Sequence, residues 1–86
     1  MLKIIDVERQ GDLRLDVFAK AYGLTQKEKE TAGLLASGLT TPEIGEVLGI
    51  AASTAGTHVK SVFQKTGSTN RVSFVWKVVQ FSPPVV

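Results

Sequence analysis

The residues of this sequence that could do chemistry point to hydrogen bonding with a partner and away from catalysis. There is no cysteine, and the single histidine, His58, has no carboxylate nearby in sequence to complete a metal site or a catalytic triad. We find no glycine-rich phosphate loop and no nucleophile placed beside a base. We therefore expect neither an enzyme nor a cofactor, and assign His58 a structural role or a phosphate contact.

The polar groups of most interest lie on one face of a helix expected over residues 53–65. Its apolar residues recur at helical spacing: Ala55, Val59, Val62 and Phe63. The opposite face has no carboxylate and consists of Thr57, Lys60, Ser61 and Gln64. Hydroxyl, amide and ammonium groups on a helix can hydrogen-bond the base edges and phosphates of DNA. The alternative is an ordinary solvated face, which most amphipathic helices have.

A second short helix, expected over residues 42–48, must position this face. Thr41 is the expected N-cap, followed by proline at the first helical position, and the apolar side chains expected to be buried are Ile44, Val47 and Leu48. Gly49 supplies the turn and Gly67 ends the second helix. Gly45 costs about 1 kcal/mol relative to alanine, which is reasonable if the next helix crosses closely there. Two helices joined across a glycine turn are typical of a helix-turn-helix.

Two more helices are expected before this pair. Residues 12–22 place an apolar stripe on one face, made of Leu13, Val17, Phe18, Ala21 and Tyr22. Asp12 is the expected cap of this packing helix. Thr25 followed by Glu28 forms a capping box that predicts a helix start within residues 24–39. Residues 2–7 are β-branched and apolar, and we interpret residues 1–11 as a linker or a remnant of an upstream segment.

The stretch from Asn70 to Phe81 is ambiguous in its local pattern. Its β-branched and aromatic content favours a strand by propensity, but its valines fall at helical spacing and no partner strand is evident. We predict a helix, with Ser68 or Thr69 as its cap. A second apolar stripe exceeds what one small core needs, and predicts a dimer interface formed by Phe74, Val78 and Phe81. Residues 82–86 are expected to be a flexible tail.

Size and charge are consistent with one small nucleic-acid-binding domain. The chain has 86 residues and a formal net charge of +2. Residues 48–86 hold four Lys/Arg and no acidic residue, whereas all eight acidic residues precede them. Such asymmetry indicates a surface that faces a polyanion.

No apolar run is long enough for a membrane span and no signal-peptide pattern is present, so we expect a cytoplasmic protein.

A dozen spaced positions within residues 24–81 resemble the LuxR/GerE-type helix-turn-helix of bacterial transcription regulators. They are Leu24-Thr25, Glu28, Leu34-Leu35, Gly38-Leu39, Glu43-Ile44, Leu48-Gly49-Ile50, Thr54, His58-Val59, Lys65 and Arg71. The resemblance implies an all-α, tetrahelical domain with its core at residues 24–81. Here an additional short N-terminal helix precedes that core, so the helix-turn-helix domain as a whole covers residues 12–81. It also implies a sequence-specific, dimeric DNA-binding domain, with an upstream sensor domain and RNA polymerase as further partners.

Position by position, the resemblance implies a set of DNA-binding residues on the third and second helices of that domain. Those facing the groove are Gly56, Thr57 and Lys60, with Ser61 and Gln64 beside them, and those near phosphates are Thr41, Thr54 and Lys65. Glu28 and Arg71 resemble the scaffold pair of the family and are expected to form a salt bridge.

The sequence departs from the family pattern in the recognition helix. Ala51 stands where a serine cap is usual, and Gly56 where a lysine or arginine is frequent. A looser, less basic helix follows, with Lys60 as its main cationic reader. The alternative function is a helical protein–protein interaction module that uses the same fold without DNA binding; a sigma-factor-like promoter reader is a narrower variant of the DNA-binding reading.

Overall fold

A computed structural model describes residues 15–81, which form five helices and no strand. Helix α1 covers residues 15–22 of the described range, and it is followed by α2 (Gln26–Ala36), α3 (Thr41–Leu48), α4 (Ala52–Thr66) and α5 (Arg71–Gln80). The all-α fold with an additional helix before the four-helix domain is confirmed. The expected linker 1–11, the cap Asp12, Leu13 and the tail 82–86 lie outside the described residues.

Reciprocal caps between a polar residue and the residue three positions later begin α2 and α3. In α2 the Thr25 amide donates to Glu28 Oε1 at 2.8 Å, and the Glu28 amide donates to Thr25 Oγ1 at 3.2 Å, as predicted. In α3 the cap is Thr40, whose hydroxyl accepts from the amide of Glu43. The prediction that Thr41 caps α3 is therefore wrong. Two threonines stand here, but only Thr40 has a glutamate three residues later to complete the box.

Helix α5 confirms the helical prediction for residues 70–81 over the strand alternative. Asn70 is its cap, because the Ser73 amide donates to Asn70 Oδ1 at 2.9 Å. The expectation that Ser68 or Thr69 fills this role is wrong. Ser68 is buried instead, with its hydroxyl 2.8 Å from that of Thr66 at the end of α4.

Side chains from all five helices form a single core. Its largest fully buried members are Phe18, Phe74, Leu35, Ile44, Val62 and Thr31. Aromatic rings link the ends of the fold: Phe18 of α1 lies 5.2 Å from Phe81 and 6.2 Å from Phe74, centroid to centroid. Helix α1 is therefore part of the same core as the four-helix domain.

Two side chains predicted to be buried are exposed instead. Val47 is 60% exposed, because α3 packs on its neighbours through Ile44 and Gly45 and turns Val47 outward. In α1, Ala21 is exposed and Ala19 is buried, since the contact face is centred on Phe18 and Ala19.

Close contact between α3 and the start of α4 explains the glycine within α3. A Cβ added to Gly45 would lie 2.9 Å from the Ile50 carbonyl oxygen and 3.4 Å from the Ala52 Cα. The predicted close crossing is confirmed. Gly49 has φ of 70°, a left-handed conformation that suits glycine and turns the chain sharply between α3 and α4.

Candidate nucleic-acid interface

Burial divides α4 into an inner and an outer face. Ala55 and Val62 are fully buried and Val59 and Phe63 are half-buried, as predicted. These contacts determine the rotation of the helix about its axis. The outward positions are therefore also determined, and they coincide with most of the residues predicted to bind DNA. Thr54, Thr57, Lys60 and Gln64 are exposed, whereas Gly56, Ser61 and His58 are half-buried.

Packing of α3 on α4 brings the start of α3 beside the first half of α4. A Cβ added to Gly56 would lie 3.8 Å from the Thr41 Cγ2. Thr41, at the first helical position of α3, is half-buried. Residues 41 and 56, predicted for different roles, therefore line one continuous surface.

The start of α4 has no side-chain cap. Ala51 is the N-cap residue and makes no side-chain hydrogen bond, so Ser53 does not replace the missing serine. The helix begins at Ala52, one residue earlier than predicted. One turn later the Thr57 hydroxyl donates to the Ser53 carbonyl at 3.2 Å. This bond leaves the lone pairs of the Thr57 oxygen and its methyl group for an external partner.

Lys60 carries a charge that no described carboxylate neutralises. The salt bridges within residues 15–81 join Lys27 to Glu30, Lys29 to Asp16 and Lys65 to Glu28. Helix α4 itself contains no acidic residue. The exposed ammonium group of Lys60 is therefore available to an anionic partner.

Lys65, by contrast, is engaged within the protein. Its ammonium lies 2.8 Å from Glu28 Oε1 and 3.2 Å from the carbonyl oxygen of Gly23. With 100° of rotation about the helix axis per residue, the Lys65 side chain points about 80° away from that of Thr57. The sequence therefore already places Lys65 to one side of the outer face of α4. Lys65 therefore connects the end of α4 to the start of α2.

The prediction of a salt bridge between Glu28 and Arg71 is wrong. Arg71 donates from Nη1 to the Leu35 carbonyl at 2.8 Å and from Nη2 to the Leu39 carbonyl. These acceptors lie at and after the end of α2, where carbonyl groups lack helical partners. Glu28 lies at the other end of the helix, seven residues before Leu35 and so about 10 Å away along the axis.

Hydrogen bonding favours the ionised form of Glu28. The side-chain bond from Lys65 is the largest influence, followed by the Thr25 amide, and together they hold the pKa of Glu28 below its usual value despite burial. The role of Lys65 as the partner of this buried carboxylate was missed by sequence reasoning.

The residues predicted for the dimer interface are divided between core and surface. Phe74 is fully buried, so it cannot contact a second copy and that prediction is wrong. Val78 and Phe81 are half-buried and pack against the core. The exposed apolar face of α5 consists instead of Val72 (72% exposed), Trp76 (57%) and Val79 (56%). Their spacing of four and three residues could have indicated this face.

Within residues 15–81, no group of three or more His, Cys, Asp or Glu side chains is arranged to hold a metal ion. None of the helices in this part of the chain combines the length and apolar character required to cross a membrane.

Comparisons with known proteins agree with this geometry. The GerE family model, described as bacterial regulatory proteins, luxR family, matches residues 22–78, more than half of the chain. The HTH-type transcriptional regulator MalT of Serratia proteamaculans (strain 568) is 37% identical over 57 residues, which are 66% of this chain and 6% of that protein. The transcriptional regulatory protein MctR of Rhizobium johnstonii is 38% identical over 52 residues, 60% of this chain and 24% of that protein.

The chain thus spans a small part of these curated relatives. A MalT of Yersinia pestis (strain Pestoides F) is 40% identical over 48 residues, which are 56% of this chain and 5% of that protein. No solved structure matches the chain.

Proposed function

Because the chain belongs to the luxR family of bacterial regulatory proteins, we propose that it binds double-stranded DNA as the DNA-binding domain of a transcription regulator. The observation that carries this proposal is the outer face of α4, which is exposed, polar and free of carboxylates. Its orientation follows from the buried stripe on the opposite side. The similarity to transcriptional regulators over the same residues supports it.

In this proposal α4 lies in the major groove. Thr57, Lys60 and Gln64 face the base edges, where hydroxyl, ammonium and amide groups can read donors and acceptors. Thr54 and Ser61 flank them, and Thr41 lies near a phosphate at the groove edge. Lys65 stabilises the scaffold through Glu28 in this proposal and is not one of the phosphate contacts.

We further propose that the domain binds as a homodimer through α5. Val72, Trp76 and Val79 form an exposed apolar face on that helix, and such a face is stabilised when a second copy covers it. A two-fold dimer would place two α4 helices on half-sites related by the same symmetry. Two copies also compensate for the small charge of one, because linked binding events raise the overall affinity.

The relatives are much longer than the aligned region. We propose that a regulator containing this domain also has a sensor segment before it and contacts RNA polymerase in the cytoplasm. These partners would determine when the DNA-binding surface is used.

A salt series on random-sequence duplex tests the proposal. Fluorescence anisotropy with labelled DNA should show affinity falling linearly on a log–log plot, with a slope of about −0.9 for each phosphate contact. A protein with several such contacts gives a clearly negative slope. No binding at low salt, or a slope near zero, would contradict DNA binding and favour an interaction module with the same fold.

A further inference from the structure

A cleft between α2 and α3 carries apolar surface that the proposed functions leave uncovered. Val47 in this cleft is 60% exposed, whereas the other large apolar side chains with such exposure in residues 15–81 lie on α5. Covering the cleft would remove apolar surface from water, so it favours an occupant with aliphatic side chains. None of its lining residues belongs to α4: they are Glu30, Gly33, Leu34, Ser37, Val47 and Leu48.

The described part of the chain begins at the edge of this α2–α3 cleft. Leu15 is the first described residue, and its side chain lies against α2: a Cβ added to Gly33 would be 2.9 Å from Leu15 Cδ2. Gly33 itself lines the cleft. The residues that precede Leu15 therefore join the domain next to the cleft.

Those preceding residues include an apolar run that can reach the cleft. Residues 2–7 read LKIIDV and contain four aliphatic side chains, those of Leu2, Ile4, Ile5 and Val7. The connection to Leu15, residues 8–14, spans up to about 25 Å when extended. This is about twice the diameter of a helix, which is roughly 10–12 Å. The run can therefore extend past α2 to Val47 on α3.

We propose that residues 2–7 bind in the α2–α3 cleft and cover Val47. Because a short connection joins the segment to the cleft, binding is intramolecular, with an effective concentration in the millimolar range. A contact that is weak between separate molecules is then well populated. This contact ties the chain before α1 to α2 and α3, the helices that support α4, and it does not depend on DNA binding.

Thiol labelling tests the proposal directly, because the sequence contains no cysteine. Val47→Cys places a single thiol in the cleft, and its reaction with N-ethylmaleimide slows in proportion to the time for which the cleft is covered. A segment that is bound about four-fifths of the time gives a rate about fivefold lower. Adding Ile4→Ser and Ile5→Ser should restore the faster rate, because the apolar contact is lost.

Ser37→Cys provides a second thiol in the cleft that leaves Val47 in place. Ser37 is exposed and lines the same cleft, so this thiol should also be labelled faster once Ile4 and Ile5 are replaced by serine. If the two serine substitutions change the labelling rate of neither thiol, the proposal is overturned.

Val79→Cys is the matched control on another apolar surface. Val79 is 56% exposed on α5. Helix α1 also contacts the end of α5, since the Phe18 and Phe81 ring centroids are 5.2 Å apart, so residues 2–7 could reach this helix as well. The serine substitutions should leave the labelling of Val79→Cys unchanged. Equal effects on Val47→Cys and Val79→Cys would mean that the segment covers apolar surface without preference for the cleft, and would contradict the proposal.

Protein concentration distinguishes this segment from a second copy as the occupant. Intramolecular binding gives the same protection of Val47→Cys over an about hundredfold range of concentration, whereas association strengthens with concentration by mass action. Protection that increases with concentration would assign the cleft to a second copy and overturn the proposal. Labelling is measured without DNA, so a protein that binds no duplex at low salt contradicts the proposed function alone.

Discussion

Lys60 is the residue through which the proposed readout is most directly tested. It is exposed, and it forms no salt bridge with described carboxylates. Lys60→Ala should weaken specific binding by about 1–3 kcal/mol and relax the preference at one base pair per half-site, because a cation that reads a base edge is lost. A binding selection from a randomised duplex pool measures both effects.

Lys27→Ala is the matched control for Lys60. It removes the same charge from the exposed surface of α2 and leaves a Glu30 partner that is partly exposed. We expect it to leave sequence preference unchanged. If Lys60→Ala weakens binding equally on every sequence, Lys60 contacts a phosphate and reads no base.

Lys65 should behave as a scaffold residue. Lys65→Met removes the partner of Glu28, a carboxylate that is 7% exposed. We expect a loss of about 1–2 kcal/mol in the free energy of unfolding, reduced by the partial exposure of the lysine, and an unchanged salt slope for DNA binding. Urea unfolding and the salt series measure the two quantities. A slope shallower by about one unit with full stability would instead identify a phosphate contact.

Ionisation of Glu28 should make stability depend on pH. Its pKa is lower in the folded protein than its usual value of 4.5, so its stabilising contribution is complete above about pH 4.5 and is lost as pH falls through the folded-state pKa. Glu28→Gln should therefore be less stable than the wild type at pH 7, with the difference shrinking at pH 3. Glu46→Gln changes an exposed carboxylate on α3 and is the control; in urea unfolding at pH 7 it should lower stability less than Glu28→Gln does.

Among helices α2 to α5, α4 is unusual because it begins without a side-chain N-cap. Ala51 has the extended backbone of a cap, with φ −66° and ψ 151°, but no side-chain acceptor. Ala51→Ser should stabilise the protein by about 0.5–1 kcal/mol, because the hydroxyl can accept a hydrogen bond from the first turn. Thermal unfolding measures this change. Ala52→Ser, already inside the helix, should give no increase; an equal gain there would mean that capping is not the cause.

The other helices show how local signals determine boundaries. Capping boxes at Thr25 and Thr40 begin α2 and α3, and left-handed glycines end α3 and α4. The Thr25 box and both glycines were predicted, since each depends on residues within four positions of one another. The misplaced cap of α3 arose because Thr40 and Thr41 are adjacent, and the position of Glu43 distinguishes them.

For the whole molecule, assembly through α5 is the main prediction. Val72→Glu should weaken dimerisation without unfolding the protein, because Val72 is 72% exposed in the isolated domain. A carboxylate buried against a second copy would have no partner. Sedimentation equilibrium measures the association constant, and DNA with two half-sites reports the loss of cooperative binding.

Val47→Glu provides the control for this assembly test. Val47 is a similarly exposed valine, at 60%, but lies on α3 outside the α5 face. It should leave association unchanged. Equal association of the Val72→Glu variant and the wild type would show that this face of α5 does not join two copies.

Packing of the helices reduces the number of lysines that are available to bind DNA. Three lysines of residues 15–81 are paired with carboxylates, and one of them, Lys65, was expected to bind phosphate. Fewer cations therefore remain for DNA than the sequence alone suggests. We expect the affinity of one copy to be weak and sensitive to salt.

The sequence alone determined the helical class, the helix-turn-helix and the buried and exposed faces of α4, because these depend on periodicity, caps and glycines close together along the chain. It also carried the resemblance to the family, through a dozen spaced positions that the family model then matched. Only the tertiary structure decided that Lys65 pairs with Glu28, 37 positions away, that Arg71 binds the end of α2, and that Phe74 is core while Trp76 is surface. A helical stripe shows that residues share a face, but not which of them a neighbouring helix covers. That choice is made by contacts between distant segments, which create the core and leave the outer face of α4 exposed.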